Sequence, residues 1–304
     1  MTRVLVRRLL RAVVVATGVS LVTFAILHAS GDPVALMMPD APDAERAALR
    51  RTLGLDDPIV VQFVRFAADA ARGRFGDSLY HRESAMALVL ARMPTTLTLA
   101  GFAMAVALAI AVPAGILSAV CRGSTVDHVV TTLVLLGQAM PVFWTGIMLM
   151  LLFGATWRIL PVSGWGTWSA AILPVLTIGV FLAPVQLRIV RSSMLDVITL
   201  DYVRTARAKG LSERTVIWRH ALRNAALPVV TVVGLQFGVV LGGAVITETV
   251  FAIPGVGRLI VAAIGQLDFP VVQASVFLLA MIVVTVNFTI DLLYAWLNPV
   301  VRVR

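Results

Sequence analysis

The sequence predicts an all-α membrane protein with six transmembrane helices. Of its 304 residues, 59% are hydrophobic and 13% are charged, and the mean hydropathy is +0.94. A soluble chain has about a quarter of its residues charged. Six long stretches contain no Asp, Glu, Lys or Arg. Because a chain of this length is able to bury a large core in water, the apolar excess indicates surface that faces lipid.

Each charge-free stretch is long enough for one membrane helix, which needs about 20 mostly apolar residues. The windows are 12–31, 93–121, 128–157, 159–187, 224–247 and 269–290. The first follows four arginines, but its apolar run is too long for a cleaved signal peptide, so we interpret it as a retained anchor. The fourth opens with a Pro-, Gly- and Trp-rich stretch, so we expect its helix to begin near Ala170.

The basic residues predict the orientation of these helices. The two termini, the 122–127 link and the 188–223 loop together carry 15 of the 25 Lys and Arg residues, and the short outer loops carry only Arg158 and Arg258. Since short basic loops stay in the cytoplasm, both termini are predicted to be cytoplasmic. This topology accounts for the net charge of +9 without a nucleic-acid partner, and the basic side favours anionic lipid headgroups.

The chain is predicted to have three parts, which are a cytoplasmic N-terminus with the first helix at 1–31, an extracytoplasmic segment at 32–92 and a helical core at 93–304. Within the outer segment, we expect a short helix at 44–53 that ends at Gly54. Apolar residues also recur with helical spacing after Pro58. This patterning predicts a folded segment that packs on the outer face.

The cytoplasmic loop at 196–228 is expected to form a helix, a turn and a second helix. Asp201 is expected to cap the first helix, and Gly210 to end it in the left-handed conformation. Ser212 then caps the second helix, and Pro228 opens the fifth span. Small Ala206 beside Gly210 permits close approach of another backbone, and the arginines around it supply charge. The loop therefore suits the docking of a partner protein.

The chain contains no set of residues expected to catalyse a reaction. Its four histidines fall on different sides or levels of the topology, and the single Cys121 is unable to form an internal disulfide. No His-Glu-x-x-His, Gly-x-Ser-x-Gly or phosphate-loop motif occurs. We therefore predict no enzyme activity, no metal site and no cofactor in this chain, and an external source of energy for its action.

Several polar or helix-breaking residues lie at the depth of the spans. Asp291 fits either an interface contact or a transport role. Glu248 opens a turn in which Phe251 is followed by Pro254 and Gly255, and this turn fits either a simple helix end or a gate. Four further residues either line a wet path or bond across helices, and they are Gln138, Pro141, Gln186 and Gln236.

In the loop, the runs Tyr-Val-Arg-Thr-Ala-Arg-Ala-Lys-Gly-Leu at 202–211 and His-Ala-Leu-Arg-Asn-Ala-Ala-Leu-Pro at 220–228 closely resemble the permeases of ABC importers for dipeptides, oligopeptides, nickel and glutathione. Further matches run along the chain, and they are Gly-Asp-Pro at 31–33, Leu-Gly-Leu-Asp at 53–56, the stretch 73–78, Leu-Pro-Val-Ser-Gly at 160–164, Phe-Ala-Ile-Pro-Gly-Val-Gly-Arg at 251–258 and Asn-Pro at 298–299. The resemblance implies a type I ABC importer permease fold, also called MetI-like.

In that family the loop is the coupling motif, in which Glu-Ala-Ala is followed three residues later by Gly. Here these places hold Arg204, Thr205, Ala206 and Gly210, so no salt bridge from the missing Glu is carried over. The resemblance implies that the helix after Gly210 docks in a groove of a separate ATPase, which binds ATP and Mg. The remaining coupling residues are Lys209, Leu211, Ser212 and His220.

The resemblance also implies the partners of this chain. They are a second homologous permease subunit, two ABC ATPase subunits and an extracytoplasmic substrate-binding protein, and this chain takes the place of the first permease in the cell inner membrane. The expected cargo is short peptides, with a nickel chelate or glutathione as the alternative. A self-sufficient channel or secondary transporter is the alternative of another class, and it requires polar relays deep within the spans.

Overall fold

A computed structural model of the chain describes residues 2–29, 34 and 42–297. The described residues form eleven helices, which agrees with the predicted all-α class. They are α1 Thr2–Ala29, α2 Asp43–Leu53, α3 Ile59–Ala71, α4 Ala85–Val120, α5 Thr125–Ala139, α6 Val142–Thr156, α7 Trp168–Ile198, α8 Asp201–Ala208, α9 Glu213–Val250, α10 Val256–Gly265 and α11 Phe269–Leu297. The sequence motifs at 31–33 and 298–299 lie outside the described residues.

Four of these helices, α4, α7, α9 and α11, are long and apolar enough to cross a membrane. The third predicted span is not one straight helix, because α5 and α6 meet at an angle of 100° on either side of a short break. Proline causes such breaks because it removes a backbone donor, and here Pro141 stands immediately before α6. Within α1 the apolar stretch Ala12–Ile26 is shorter than the others. The count of six crossings therefore stays a prediction.

Local signals set most helix ends where the sequence predicted them. α2 ends at Leu53, and Gly54 follows it with φ +64°, in the left-handed region that glycine adopts without a steric penalty. α3 begins directly after Pro58. α7 begins at Trp168, where the Thr167 hydroxyl accepts a hydrogen bond of 3.3 Å from the backbone N–H of Ala170.

The described chain divides into two compact units. The first consists of Met1–Pro94 and Gly255–Thr285, and it contains α1 to α3, the start of α4, α10 and most of α11. Its buried core joins small and apolar side chains from these helices, and they are Ala70, Phe75, Ala85, Val89, Met93, Val256, Ala263, Val271 and Ala274. The segment described from residue 42 onward therefore contributes buried side chains to the core of this unit.

A short turn in the first unit is held by one buried carboxylate. Asp77 and Ser84 pair as an isolated antiparallel bridge. Between them, the Ser78 hydroxyl donates to the carboxylate of Asp268, which also accepts from the backbone N–H of Leu79 at 3.3 Å. Because Asp268 is buried, these bonds supply the polar partners that its charge requires.

The second unit consists of Thr95–Pro254 and Val286–Arg304, and α7 is the helix on which the others pack. Glycines let α4 and α7 approach closely at two levels. A Cβ at Gly115 would lie 2.7 Å from Val190 Cγ1, and a Cβ at Gly179 would lie 2.7 Å from Val106 Cγ1. Small residues permit this backbone approach, which membrane helices use in place of a hydrophobic drive.

Candidate functional site

The predicted turn between the two loop helices has the geometry of a helix C-cap. Gly210 adopts φ +74°, and its N–H donates to the carbonyl of Arg207 at 2.9 Å, while the Leu211 N–H reaches the carbonyl of Ala206 at 3.4 Å. These two bonds satisfy carbonyls that the end of α8 would leave unpaired. No atom lies within 4 Å of a Cβ placed on Gly210, so the glycine is required by backbone conformation and not by crowding.

The two helix starts of the loop differ from each other. Ser212 caps α9 as predicted, since its hydroxyl accepts from the Thr215 N–H at 3.4 Å. The prediction for Asp201 is wrong, because Leu200 occupies the cap position and Asp201 is the first residue of α8. Its carboxylate still favours the positive helix start. Pro228 does not open the fifth span either, because it lies inside α9.

A small apolar cluster lies inside the loop. It joins Val203 and Ala206 of α8 to Val216 of α9, with Val197 at the end of α7 packed against them. Ala206 is only 6% exposed. The close approach expected at Ala206 is therefore made by this chain itself, because α9 covers the small side chain. A partner protein would contact the other side of α8.

Two polar contacts close the loop around this cluster. Arg207 forms a two-pronged contact with Glu213, whose shortest N···O distance is 2.7 Å, and Asn224 donates to the Tyr202 hydroxyl at 2.8 Å. Arg207 and Glu213 both precede the apolar window 224–247, so they lie outside the predicted membrane span. The hydrogen bonds from Arg207 hold the pKa of Glu213 below its ordinary value, and the same bonds raise the pKa of Arg207. These contacts join α8 to α9 both at the turn and at the start of α8.

The start of α9 continues this packing toward the apolar helices. Ile217 and Ala221 are buried with Val190 and Met194 of α7 and with Ile116 of α4. The stretch Val216–Ala221 is π-helical, and such widened turns shift the side chains that follow them. α9 runs from the loop to Val250, so the second loop helix and a helix of membrane-spanning length are one continuous helix.

Five basic side chains are exposed on the surface of the loop, and they are Arg204, Arg207, Lys209, Arg214 and Arg219. Six of the predicted coupling residues are exposed, and they are Arg204, Thr205, Lys209, Gly210, Leu211 and Ser212. Trp218, which the sequence analysis did not single out, is 49% exposed on α9. His220, two positions further along α9, is half-buried. The surface of the loop therefore carries two aromatic side chains, Tyr202 and Trp218, among several cationic ones.

An ion pair that the sequence analysis missed fastens the start of α5 to α7. Arg191 donates to Asp127, with N···O distances of 2.8 and 3.1 Å. Asp127 is buried, and it also accepts from the Ser118 hydroxyl of α4 and from the Gly123 N–H at 3.0 Å. A fully bonded buried carboxylate of this kind fixes the helices that carry its partners. The sequence signal for it is weak, because Asp127 directly precedes the window 128–157 but Arg191 lies four residues beyond the end of the window 159–187.

Gln186 and Gln236 lie together in the interior of the second unit. Gln186 donates to the side-chain oxygen of Gln236 at 3.0 Å, and its other N–H points at the Met104 sulfur at 2.9 Å. Both amides are buried. They bond across α7 and α9, which is one of the two predicted arrangements. Gln138 and Pro141, in contrast, are exposed on either side of the break between α5 and α6.

The turn after α9 is built around a buried Phe251. α9 ends at Val250, before the Pro254 and Gly255 to which the sequence attributed the break, and Ala252 takes the left-handed conformation with φ +55°. The Ile253 N–H donates to the carbonyl of Glu248 at 2.8 Å, which completes the cap. The position that most needs glycine therefore holds alanine.

Two contacts fix this turn within the second unit. The Phe251 ring lies against α6, where a Cβ at Gly146 would be 3.0 Å from ring atom Cε2, and the Phe251 carbonyl accepts from the Gly164 N–H at 2.9 Å. Glu248 is fully buried, and its carboxylate accepts from the Thr96 hydroxyl at 2.6 Å. The turn is thus a closed, packed structure, whichever of its two predicted roles it serves.

The other predicted polar residue, Asp291, lies on α11, and its side chain is outside the described residues. Among the residues that the structure describes, no group of three or more His, Cys, Asp or Glu side chains is arranged to hold a metal ion.

Two family profiles together match nearly the whole chain. Residues 111–303 match the family described as "Binding-protein-dependent transport system inner membrane component". Residues 1–100 match its N-terminal companion, "Binding-prot-dependent transport system membrane comp, N-term".

Three curated relatives are similar to the chain from end to end. The dipeptide transport system permease protein DppB of Escherichia coli K12 is 40% identical over 337 aligned residues, covering 99% of each chain. The di/tripeptide transport system permease protein DppB of Pseudomonas aeruginosa UCBPP-PA14 is 41% identical, covering 94% of each. The glutathione transport system permease protein GsiC of Salmonella paratyphi A is 40% identical, covering 100% of each.

Two solved structures share the fold. Both are inward-facing crystal forms of the MetNI methionine ABC transporter, with TM-scores of 0.59 and 0.57 at 17% and 19% identity. The match covers 69% and 70% of this chain and 96% and 97% of the other. The likeness confirms the predicted fold class.

Proposed function

Because this chain belongs to the family of binding-protein-dependent transport system inner membrane components, we propose that it lines the translocation path for short peptides together with a second, homologous permease. The chain is a membrane-embedded permease subunit of an ABC importer. Two of the relatives are named for dipeptides or tripeptides and one for glutathione, which supports a peptide cargo. Glutathione or a nickel chelate is the alternative cargo.

In this proposal the chain crosses the membrane six times with both termini in the cytoplasm. α1 is the first crossing, the segment at 32–92 lies outside, and the core at 93–304 carries the other five. The distribution of arginines supports this orientation. An extracytoplasmic binding protein then delivers the cargo to the outer face, on the side opposite the basic loop.

The observation that carries the proposal is the continuous packing from the loop into the membrane helices. Ile217 and Ala221 of α9 are buried against α7, and Val203 and Ala206 of α8 are buried against the same stretch of α9. Packed interfaces of this kind move as bodies and do not deform continuously. A force applied to the exposed face of α8 therefore moves α7 and α9 with it.

That force comes from a separate ATPase subunit, one for each permease, which binds ATP and Mg. The exposed Arg204, Lys209 and Leu211 contact its docking groove, and Trp218 adds an aromatic anchor at the edge. Closure of the two ATPases around ATP shifts both loops, and the spans alternate access to the path.

The turn from Glu248 to Gly255 is the outer gate in this scheme. Phe251 fills the space beside Gly146 of α6. Because Phe251 directly follows the last residue of α9, a shift of α9 withdraws the ring. The buried bond from Thr96 to Glu248 holds the closed position. Gln138 and Pro141, exposed at the break between α5 and α6, lie on the path itself.

The proposal is tested by purifying the tagged chain in mild detergent from its native host and identifying the bound proteins by mass spectrometry. We expect a second permease and two ATPases. Recovery of this chain alone, with transport activity in liposomes that lack ATP, would contradict the proposal and establish a channel or secondary transporter.

A further inference from the structure

The outer helix α3 has three faces of different chemistry. One face, with Phe63, Phe66 and Ala70, packs into the protein. A second, turned about 120° from the first at 100° per residue, is polar and carries residues 62, 65, 69 and 72. The third face is apolar and exposed, with Val60 and Val64 at its centre, one helical turn apart. These two side chains are 68% and 60% exposed.

The side chains of the polar face have partners in the residues just before α3 and within α3 itself. The Gln62 amide donates to the carbonyls of Leu55 and Asp57 at 2.9 and 2.8 Å, and Arg65 pairs with the Asp57 carboxylate at 2.7 Å. Arg72 lies 3.8 Å from Asp69. Side chains of this kind remain in water, so they mark the side of α3 that faces the aqueous phase.

The packed face fixes the level of α3 relative to the first helix. The ring of Phe24 on α1 lies 5.5 Å from that of Phe63 and 5.9 Å from that of Phe66. Phe24 lies within the charge-free window 12–31, and about 7.5 Å of helix, at about 1.5 Å per residue, separates it from the end of α1 at Ala29. The same part of α1 exposes Val22 and Ile26, at 56% and 60%. α3 is therefore joined to α1 at a level where α1 itself faces lipid.

We propose that α3 is an interfacial helix whose Val60–Val64 face lies among the acyl chains of the outer leaflet, with its polar face in the water above. A helix in such a position needs one face toward the protein, one toward lipid and one toward water, and α3 has these three faces. A protein partner on the same face would have to cover Val60 and Val64 at the level of the acyl chains bordering α1. The inference rests on the proposed function only in taking α1 as a membrane span.

The test uses site-directed spin labels on the full transporter complex in lipid nanodiscs. Cys121 is replaced by serine, because it is the only cysteine in the chain. Labels are then placed singly at Val64→Cys on the apolar face, at Arg72→Cys on the polar face as the matched control, and at Val14→Cys as the reference for α1. Val14 is 69% exposed. Collision rates with oxygen, which enters lipid, and with a nickel chelate, which stays in water, are measured at each label.

We expect the ratio of oxygen to nickel collisions to exceed one at Val64→Cys, as at Val14→Cys, and to fall below one at Arg72→Cys. A ratio below one at Val64→Cys with a lipid value at Val14→Cys would overturn the inference and leave the proposed topology intact. Low collision rates with both reagents at Val64→Cys would overturn it in favour of a protein partner. A water value at Val14→Cys would contradict the first crossing, and the inference with it.

Discussion

Arg191 of α7 and Asp127 of α5 form a two-pronged ion pair, with an N···O distance of 2.8 Å, at the end of α7 that leads into the basic loop. The carboxylate is 5% exposed and the guanidinium 31%. Arg191 stands next to Val190, which packs against the start of α9. The pair therefore joins the start of α5 to α7 beside the residues of α7 that pack against α9.

Replacing Asp127 by asparagine removes the charge that Arg191 faces and should destabilise the protein. Breaking a buried pair costs about 3 to 5 kcal/mol, and we expect about 2 kcal/mol here because Arg191 is partly exposed. The midpoint of thermal unfolding in detergent is the measurement. The matched control is Asp196→Asn, an exposed carboxylate on α7, the helix that carries Arg191, and it should leave the midpoint unchanged. Equal effects of the two substitutions would show that the pair has no special part in stability.

Replacing Gly210 tests whether the loop needs its left-handed turn. Gly210→Val places a β-branched residue at φ +74° and should uncouple transport from ATP, whereas Gly210→Asn should keep most activity because asparagine tolerates that conformation. Valine has room for its side chain, since no atom lies within 4 Å of the added Cβ. Uptake is compared at equal membrane abundance. Normal uptake by the valine variant would contradict the coupling role of the turn.

Ala206→Asp should lower the binding of the ATPases because it disrupts the packing of α8 on α9. The new carboxylate would be buried against Val203 and Val216 without a partner, at a cost of several kcal/mol, so α8 would separate from α9. Ala206→Gly, which keeps the site small and uncharged, is the control and should retain the ATPases. Co-purified ATPase per permease is the quantity to measure. Full retention of the ATPases by the Ala206→Asp variant would contradict the need for an apolar contact between α8 and α9.

Phe251→Ala tests the gate. Removing the buried ring leaves a space beside Gly146 and costs about 3 to 5 kcal/mol of packing, whereas Phe251→Leu retains most of the volume. We expect the alanine variant to let small solutes leak from liposomes without ATP, and the leucine variant to remain tight. A tight alanine variant with ordinary transport would mean that the turn is only a helix end.

The sequence predicted best those features that depend on local chemistry. The glycines at 54 and 210 and the cap at Ser212 each act through residues a few positions away, so a short window of sequence contains the whole signal. The same holds for α2 and α3 and for the apolar windows of α4, α7, α9 and α11. The family resemblance also lies in contiguous motifs, and the family profiles confirm it.

Features that depend on distant contacts were not predicted. The residues Asp127 and Arg191 are 64 positions apart, and only the packing of α5 on α7 brings them together. The burial of Ala206 likewise depends on where α9 lies. The window 128–157 was expected to hold one membrane helix, and the 100° break beside Pro141 was not predicted, because a charge-free window records composition and not direction. The helix end at Ala252 escaped prediction because alanine seldom takes the left-handed conformation.

The most direct test of the account is uptake of a labelled dipeptide by liposomes that hold this chain with its second permease and two ATPases, in the presence of the binding protein outside. We predict uptake only when ATP and Mg are enclosed with the ATPases, and none when either the ATPases or the nucleotide is left out. Uptake driven by a dipeptide or ion gradient alone, at the same rate without ATP, would contradict the account.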